Sequence, residues 1–152
     1  MKSDKKFALL RIAFGIVWAI DAWFKWQPTF LGGLVDQLTS MLAGQPAWIQ
    51  SWIGMWISLV KINPHLFAVG VAVIETLLAI GLIFGLCTRA TLIVGITFSL
   101  IIWSVAEGFG GPYAPGSTDI GCAIMYAFVA VALLFGESWK AYSLDALRVK
   151  GR

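Results

Sequence analysis

Charge is what this chain lacks. Asp, Glu, Lys and Arg make up only 12% of its 152 residues, against 59% hydrophobic ones. A water-soluble domain carries about a quarter charged residues. The polar surface here is too small to cover a water-soluble globule, so the chain reads as a polytopic membrane protein of a length that suits one bundle. Histidine occurs once, at His65, and cysteine twice, at Cys87 and Cys122. These form no recognisable metal motif, and no metal is expected. The glycines lack the strand and lysine of a nucleotide loop, and no nucleophile motif is present. No nucleic-acid signature occurs either, so the partner composition points to is the lipid bilayer.

What the chain has is long apolar runs. A basic tail, residues 1–6, precedes an apolar run over 7–26, about the 20 residues a helix needs to cross the hydrocarbon. A signal peptide shares that pattern, but Arg11 and Asp21 interrupt the run and no small-x-small cleavage site follows. It reads as a retained helix. Further spans are expected over 65–86, 90–106 and 120–135. The expected fold is all-α, a four-transmembrane-helix bundle in a single domain over 1–152, with a short surface helix over 143–149.

Residues 27–63 are less apolar and carry Pro28, Gly32, Gly33, Asp36, Gly44 and Pro46. Pro46 suits the first turn of a helix over about 46–60. Its Trp48, Trp52 and Trp56 recur at i, i+4 and i+8 and would line one face. The segment is short for a span and reads as an outer interfacial helix between helices 1 and 2. Such a helix lies in the interface or dips partly in; a fifth span is the alternative.

Lysine and arginine set the orientation. With four spans, both termini and the turn at 87–89 share one side. That side holds nine of the eleven Lys and Arg residues, all but Lys25 and Lys61. The positive-inside rule then makes both termini cytoplasmic in a multi-pass protein of the cell membrane.

Polar residues inside apolar runs are the candidates for function. Arg11, Asp21 and Lys25 share one face of the first helix with Gly15, Trp18 and Ala22, and this stripe is expected to face the bundle interior. Asp21 and Lys25, spaced i, i+4, make either a self-neutralising pair or a ligand site. Glu75 lies mid-run on a face with Ala68, Ala72 and Ala79. A carboxylate there must be paired or protonated: it is either locked to Arg11 or a proton acceptor.

The stretch 107–121 holds five glycines and two prolines, so the chain must turn there. It brings Glu107 and Asp119 to one end of two neighbouring helices, beside Tyr113. Trp103 shares the face of Glu107, and Asp119 also suits the cap of the next helix. Seven of the eight tryptophans fall in the outer half. They form an interfacial belt, or a flat aromatic pocket suited to a planar ring such as a quinone head. Cys87 and Cys122 lie at opposite ends and cannot form an intramolecular disulfide.

Several stretches resemble the DoxX/DoxD family of small four-helix membrane proteins. They are Leu10-Arg11-Ile12 with Gly15, Lys25, Glu75, Gly81-Leu82 through Gly85, and Thr88-Arg89. Gly111-Pro112-Tyr113 with Thr118-Asp119-Ile120-Gly121 is similar to DoxD, the small subunit of thiosulfate:quinone oxidoreductase. The resemblance implies a membrane subunit of a quinone-linked oxidoreductase, converting thiosulfate to tetrathionate and passing electrons to quinone. It also implies a second, DoxA-like redox subunit, and a homo-oligomer is a further expectation. The alternative is a non-catalytic membrane anchor or assembly factor for a redox complex. Beside the residue reading, the candidate catalytic groups are Glu107, Asp119 and Glu75. The candidate substrate-binding groups are Lys25, Asp21, Trp103, Tyr113 and Arg11.

Overall fold

A computed structural model describes residues 2–112 and 119–150. These form seven α-helices: α1 (Lys2–Lys25), α2 (Pro28–Ser40), α3 (Ala47–Val60), α4 (Pro64–Phe84), α5 (Thr88–Val105), α6 (Ala123–Phe135) and α7 (Leu144–Lys150). Short 3-10 turns at Gly108–Gly110 and Ser138–Lys140 flank α6, and the described residues include no strand.

α1 and α4 pack antiparallel at close range. A side chain at Gly15 would place its Cβ 2.9 Å from the backbone nitrogen of Ile83, so the contact needs glycine at that point. The expected inward stripe is present, with Arg11, Trp18 and Ala22 all buried. So is the small-residue face of α4, where Ala68, Ala72, Glu75 and Ala79 are buried together. α4 starts where Asn63 accepts the backbone N–H of Leu66 at 3.1 Å. It stops at Gly85, whose φ of 65° is the left-handed conformation that ends a helix.

Two expectations are corrected here. Among the described residues Asp4–Lys25, Pro64–Phe84 and Thr88–Val105 are long and apolar enough to cross a membrane, three helices and not four. The expected fourth span, 120–135, shortens to α6, 13 residues from Ala123 to Phe135. At 1.5 Å per residue that is roughly 20 Å, against a hydrocarbon core of about 30 Å. The cause is local: Gly121 has φ 93°, so the chain is not helical until Ala123. α6 still lies along α5, from the corner at 119–123 to the opposite end, where Gly136 packs against the Phe7 ring.

The second correction concerns 27–63, which holds two helices. α2 begins with Pro28 at its first turn and buries Phe30, Leu34 and Leu38 at i, i+4 and i+8. α3 follows Pro46 as expected, but its buried face is Ile49, Ile53, Ile57 and Val60. Trp48 and Trp52 are exposed. Since α1 ends alongside the middle of α4, α2 and α3 cover what α1 leaves open. Two cores result. One joins α2 and α3 to Ala68 and Val105. The other joins Phe14 and Trp18 to Leu78, Leu82, Leu92 and Leu133.

Candidate functional site

The seam between the two cores is a cavity of about 780 Å³, and Lys25 and Glu75 both line it. Lys25 is the last residue of α1, and its side chain reaches toward α4. Its ammonium lies 3.7 Å from Glu75 Oε1 and 5.2 Å from the centre of the Phe30 ring. The neighbouring Trp26 indole donates to the Thr76 hydroxyl at 3.1 Å, fixing the end of α1 against α4. Glu75 is 1% exposed, and its Oε2 is buried without a hydrogen-bond partner. A buried polar oxygen in that state calls for a donor. The remaining walls are mostly apolar, drawn from α2, α3, α4 and α5, among them Leu34, Leu38, Val71 and Ile102. Trp56 also lines the cavity, and its indole N–H is buried and unpartnered. Size, apolar walls and a few polar groups make this the arrangement of a small-molecule site.

Asp21 and Lys25 do not pair with each other. Asp21 accepts the Tyr126 hydroxyl at 2.8 Å, while Lys25 pairs with Glu75. Each finds a partner on a facing helix, where the surroundings are drier and the attraction stronger than along the helix surface. The Tyr126 ring is held edge-on by Phe14 and Trp18, at centroid distances of 5.5 and 5.3 Å.

The expected Arg11–Glu75 lock is not formed. Arg11 is fully buried and donates to three carbonyls: Leu82 at 2.9 Å, Ser138 at 2.8 Å and Tyr142. The antiparallel packing sets it beside the last turn of α4, whose carbonyls have no helical donor. Arg11 therefore fastens the segment after α6 to α1 and α4 and takes no part in the cavity.

The corner at 107–121 assembles Trp103, Glu107 and Asp119 as expected, but backbone groups occupy them. Both Glu107 oxygens accept the N–H of Ala123, at 3.2 and 3.0 Å. Trp103 donates to the Ile120 carbonyl at 2.7 Å. Asp119 accepts the N–H of Gly121 at 2.8 Å. Glu107, not Asp119, thus caps α6, because Asp119 accepts the N–H of Gly121, two residues short of the helix start. A side chain at Gly121 would strike the Glu107 carboxylate. Glu107 also lines the far side of the cavity. Tyr113 lies outside the described residues.

The sequence reading missed two contributors. Tyr126 is the partner of Asp21, and Phe30 is the ring under Lys25. Phe30 had a signal in the i, i+4, i+8 repeat with Leu34 and Leu38. Tyr126 had none, because only the packing of α6 on α1 places it.

In comparisons with known proteins, the DoxX family model matches residues 7–108. That range covers Arg11, Asp21, Lys25, Glu75, Trp103 and Glu107 and stops short of Asp119. No curated protein and no solved structure matches the chain.

Proposed function

The chain belongs to the DoxX family, a family of membrane proteins associated with redox and quinone-related function, and we propose that it is the membrane subunit of a quinone-linked oxidoreductase that holds quinone in the Lys25–Glu75 cavity. One observation carries the reading. An apolar cavity of about 780 Å³ has a half-buried ammonium and a buried, unpartnered carboxylate oxygen among its lining groups. A quinone fills the apolar walls with its ring and presents an oxygen to Lys25. After reduction it is a quinol, whose hydroxyl is the donor that Glu75 Oε2 lacks. Reduction takes two electrons and two protons. Two thiosulfate ions joining as tetrathionate release two electrons, which matches the quinone's need. In this proposal a DoxA-like partner subunit brings that chemistry to the outer face. In this reading α6 completes the crossing beside α5 and both termini are cytoplasmic, the side that the lysine and arginine distribution favours. The gathering of Phe7, the 85–88 turn and residues 136–145 at one end of the bundle is consistent with that orientation.

The second reading is a non-catalytic anchor for a redox complex. It is favoured by the outer corner, where Glu107, Trp103 and Asp119 all bond to backbone groups of 120–123. The test is binding of a short-chain benzoquinone to the purified protein in nanodiscs, read by quenching of tryptophan fluorescence. Saturable quenching is expected in the wild type. Leu34→Trp, which fills the cavity, and Glu75→Leu should each weaken binding at least about tenfold, the loss of one good interaction. Equal quenching in all three proteins would leave the anchor reading standing.

A further inference from the structure

We propose that the cavity is entered sideways from the bilayer, through a gap between α4 and α5 at Gly70, and that its ligand is a membrane-dissolved amphiphile. The ligand's polar head reaches Lys25 and Glu75, while its apolar tail stays in the gap. This deepens the quinone reading and rests on it for the identity of the head, though not for the gap.

The gap follows from one stripe of α4. Gly70, Ile74, Leu78 and Gly81 recur at spacings of four, four and three and so share a face. Near the turn at 85–87 that face is closed against α5. A Cβ on Gly81 would lie 2.7 Å from the Thr91 hydroxyl oxygen, and one on Gly95 would lie 3.7 Å from the Leu78 side chain. About two turns beyond Leu78 the face is open, and a Cβ on Gly70 would meet no atom within 4 Å. The two helices are thus joined at one end and stand apart toward the other. There Leu66, Gly70 and Ile74 of α4 and Ile101 of α5 line the cavity. Leu66, Ile74 and Ile101 are also exposed, so they form its rim. From Leu66 to Ile74 the rim runs roughly 12 Å along the helix.

The rim selects the ligand. Both helices are long and apolar enough to cross the membrane, so their exposed side chains meet hydrocarbon. A wholly polar molecule passing there would lose its hydration without compensation. Behind the rim, Glu75 follows Ile74 in the chain and keeps a buried oxygen without a donor, with Lys25 3.7 Å from its other oxygen. The molecule that suits both regions is apolar at one end and polar at the other. A volume of about 780 Å³ lies in the upper part of the range of about 300 to 1,000 Å³ for small-molecule sites, so the start of a tail fits beside a ring. Gly70 points the same way. Glycine is a poor helix former, and packing does not require it here. At Gly15 and Gly81 a side chain would strike the neighbouring helix, whereas at Gly70 it would strike nothing. What glycine does at this position is keep the gap free. Gly32, Gly33 and Gly54 are equally unhindered, but they do not line the cavity.

Photolabelling of the protein in nanodiscs, mapped by mass spectrometry, tests both parts. A plain alkyl diazirine dissolved in the bilayer should label Leu38 and Val105, which line the cavity and are buried. Gly70→Leu, which has room for its side chain, should remove most of that labelling and leave exposed Phe128 on α6 labelled as before. A benzoquinone with a diazirine on a decyl tail should label Leu66, Ile74 and Ile101, and tailless benzoquinone should compete this away. Absence of alkyl label on Leu38 and Val105 in the wild type overturns the gap, and so does equal labelling in Gly70→Leu. The wild-type pattern alone decides the first point if the variant fails to fold. Competed labelling confined to Gln37 and Ser40, the exposed polar lining at the end of α2, would sink the sideways route and keep the quinone reading. Alkyl labelling that Gly70→Leu removes, with no labelling that benzoquinone competes, would keep the gap and sink the quinone head.

Discussion

Asp145 accepts the backbone N–H of Thr88 at 2.7 Å from 57 residues further along the chain. Its other oxygen takes the N–H of Cys87 at 2.9 Å, and its own N–H donates to the Gly85 carbonyl at 3.1 Å. The residue before α5, Cys87, has φ 44° and caps nothing with its side chain. A carboxylate from α7 therefore performs the cap that α5 lacks locally. With Arg11 it ties the C-terminal segment to the α4–α5 turn.

This clasp should depend on pH. Burial alone would raise the Asp145 pKa, but hydrogen bonds from Thr88 and Cys87 and the charge of Arg148 outweigh it and hold it below its ordinary value. A lowered folded pKa stabilises the fold above the unfolded value, and the contribution disappears as pH falls through the folded one. Asp145→Ala should cost roughly 1 kcal/mol near neutrality, as for loss of a helix cap. In thermal unfolding of the solubilised protein, the gap to wild type should close as pH drops below about 4. A gap independent of pH would mean that the charge of Asp145 is immaterial.

Arg11→Met should be among the most damaging single changes, because it leaves the carbonyls of Leu82 and Ser138 buried without donors, and frees the half-buried carbonyl of Tyr142. At about 1–3 kcal/mol for an unsatisfied group, a loss of several kcal/mol is expected. Arg11→Lys should recover little, since an ammonium cannot reproduce the planar fork. Combined with Glu75→Gln, the effects should add to within about 0.5 kcal/mol, as for sites that share no partner. Strong coupling in that cycle would restore the Arg11–Glu75 lock.

Glu107 should behave as a cap and not as a catalyst. Glu107→Ala should destabilise by about 1 kcal/mol, and Glu107→Gln by less, because an amide oxygen can still accept the Ala123 N–H. Benzoquinone quenching should change far less for Glu107→Gln than for Glu75→Leu, because the Glu107 carboxylate at the cavity's edge is already held by the Ala123 N–H. A loss as large as that of Glu75→Leu in a well-folded Glu107→Gln protein would return this corner to the chemistry.

Cys87 and Cys122 are both free and exposed, at opposite ends of the bundle, and serve as native topology probes. In intact cells, an impermeant thiol reagent should label a Cys87→Ser protein, which keeps Cys122. It should not label Cys122→Ser until the membrane is opened. The opposite pattern would reverse the orientation.

The membrane class, three long helices and the inward stripe on α1 were legible in the sequence. Each depends on hydrophobic length or helical period, properties that a single segment carries by itself. The face of α4 that buries Glu75 was legible for the same reason, since small residues at its spacing bury together. α2 was harder to read. Its Phe30, Leu34 and Leu38 repeat is regular, but the helix is short and two glycines lie within it. The truncation of α6 escaped because apolar content does not reveal that Gly121 takes a positive φ.

Pairing was decided by tertiary structure alone. From sequence, Asp21 pairs with Lys25 by spacing and Arg11 with Glu75 by charge. In the fold Asp21 meets Tyr126, Lys25 meets Glu75 and Arg11 meets three carbonyls. Composition determined that these charges must be buried and compensated, because a chain so apolar has few other groups to offer. Which group compensates which depends on how far α1 slides along α4, and that offset follows from Gly15 fitting against Ile83. It is a contact between helices, and no periodicity within one helix encodes it.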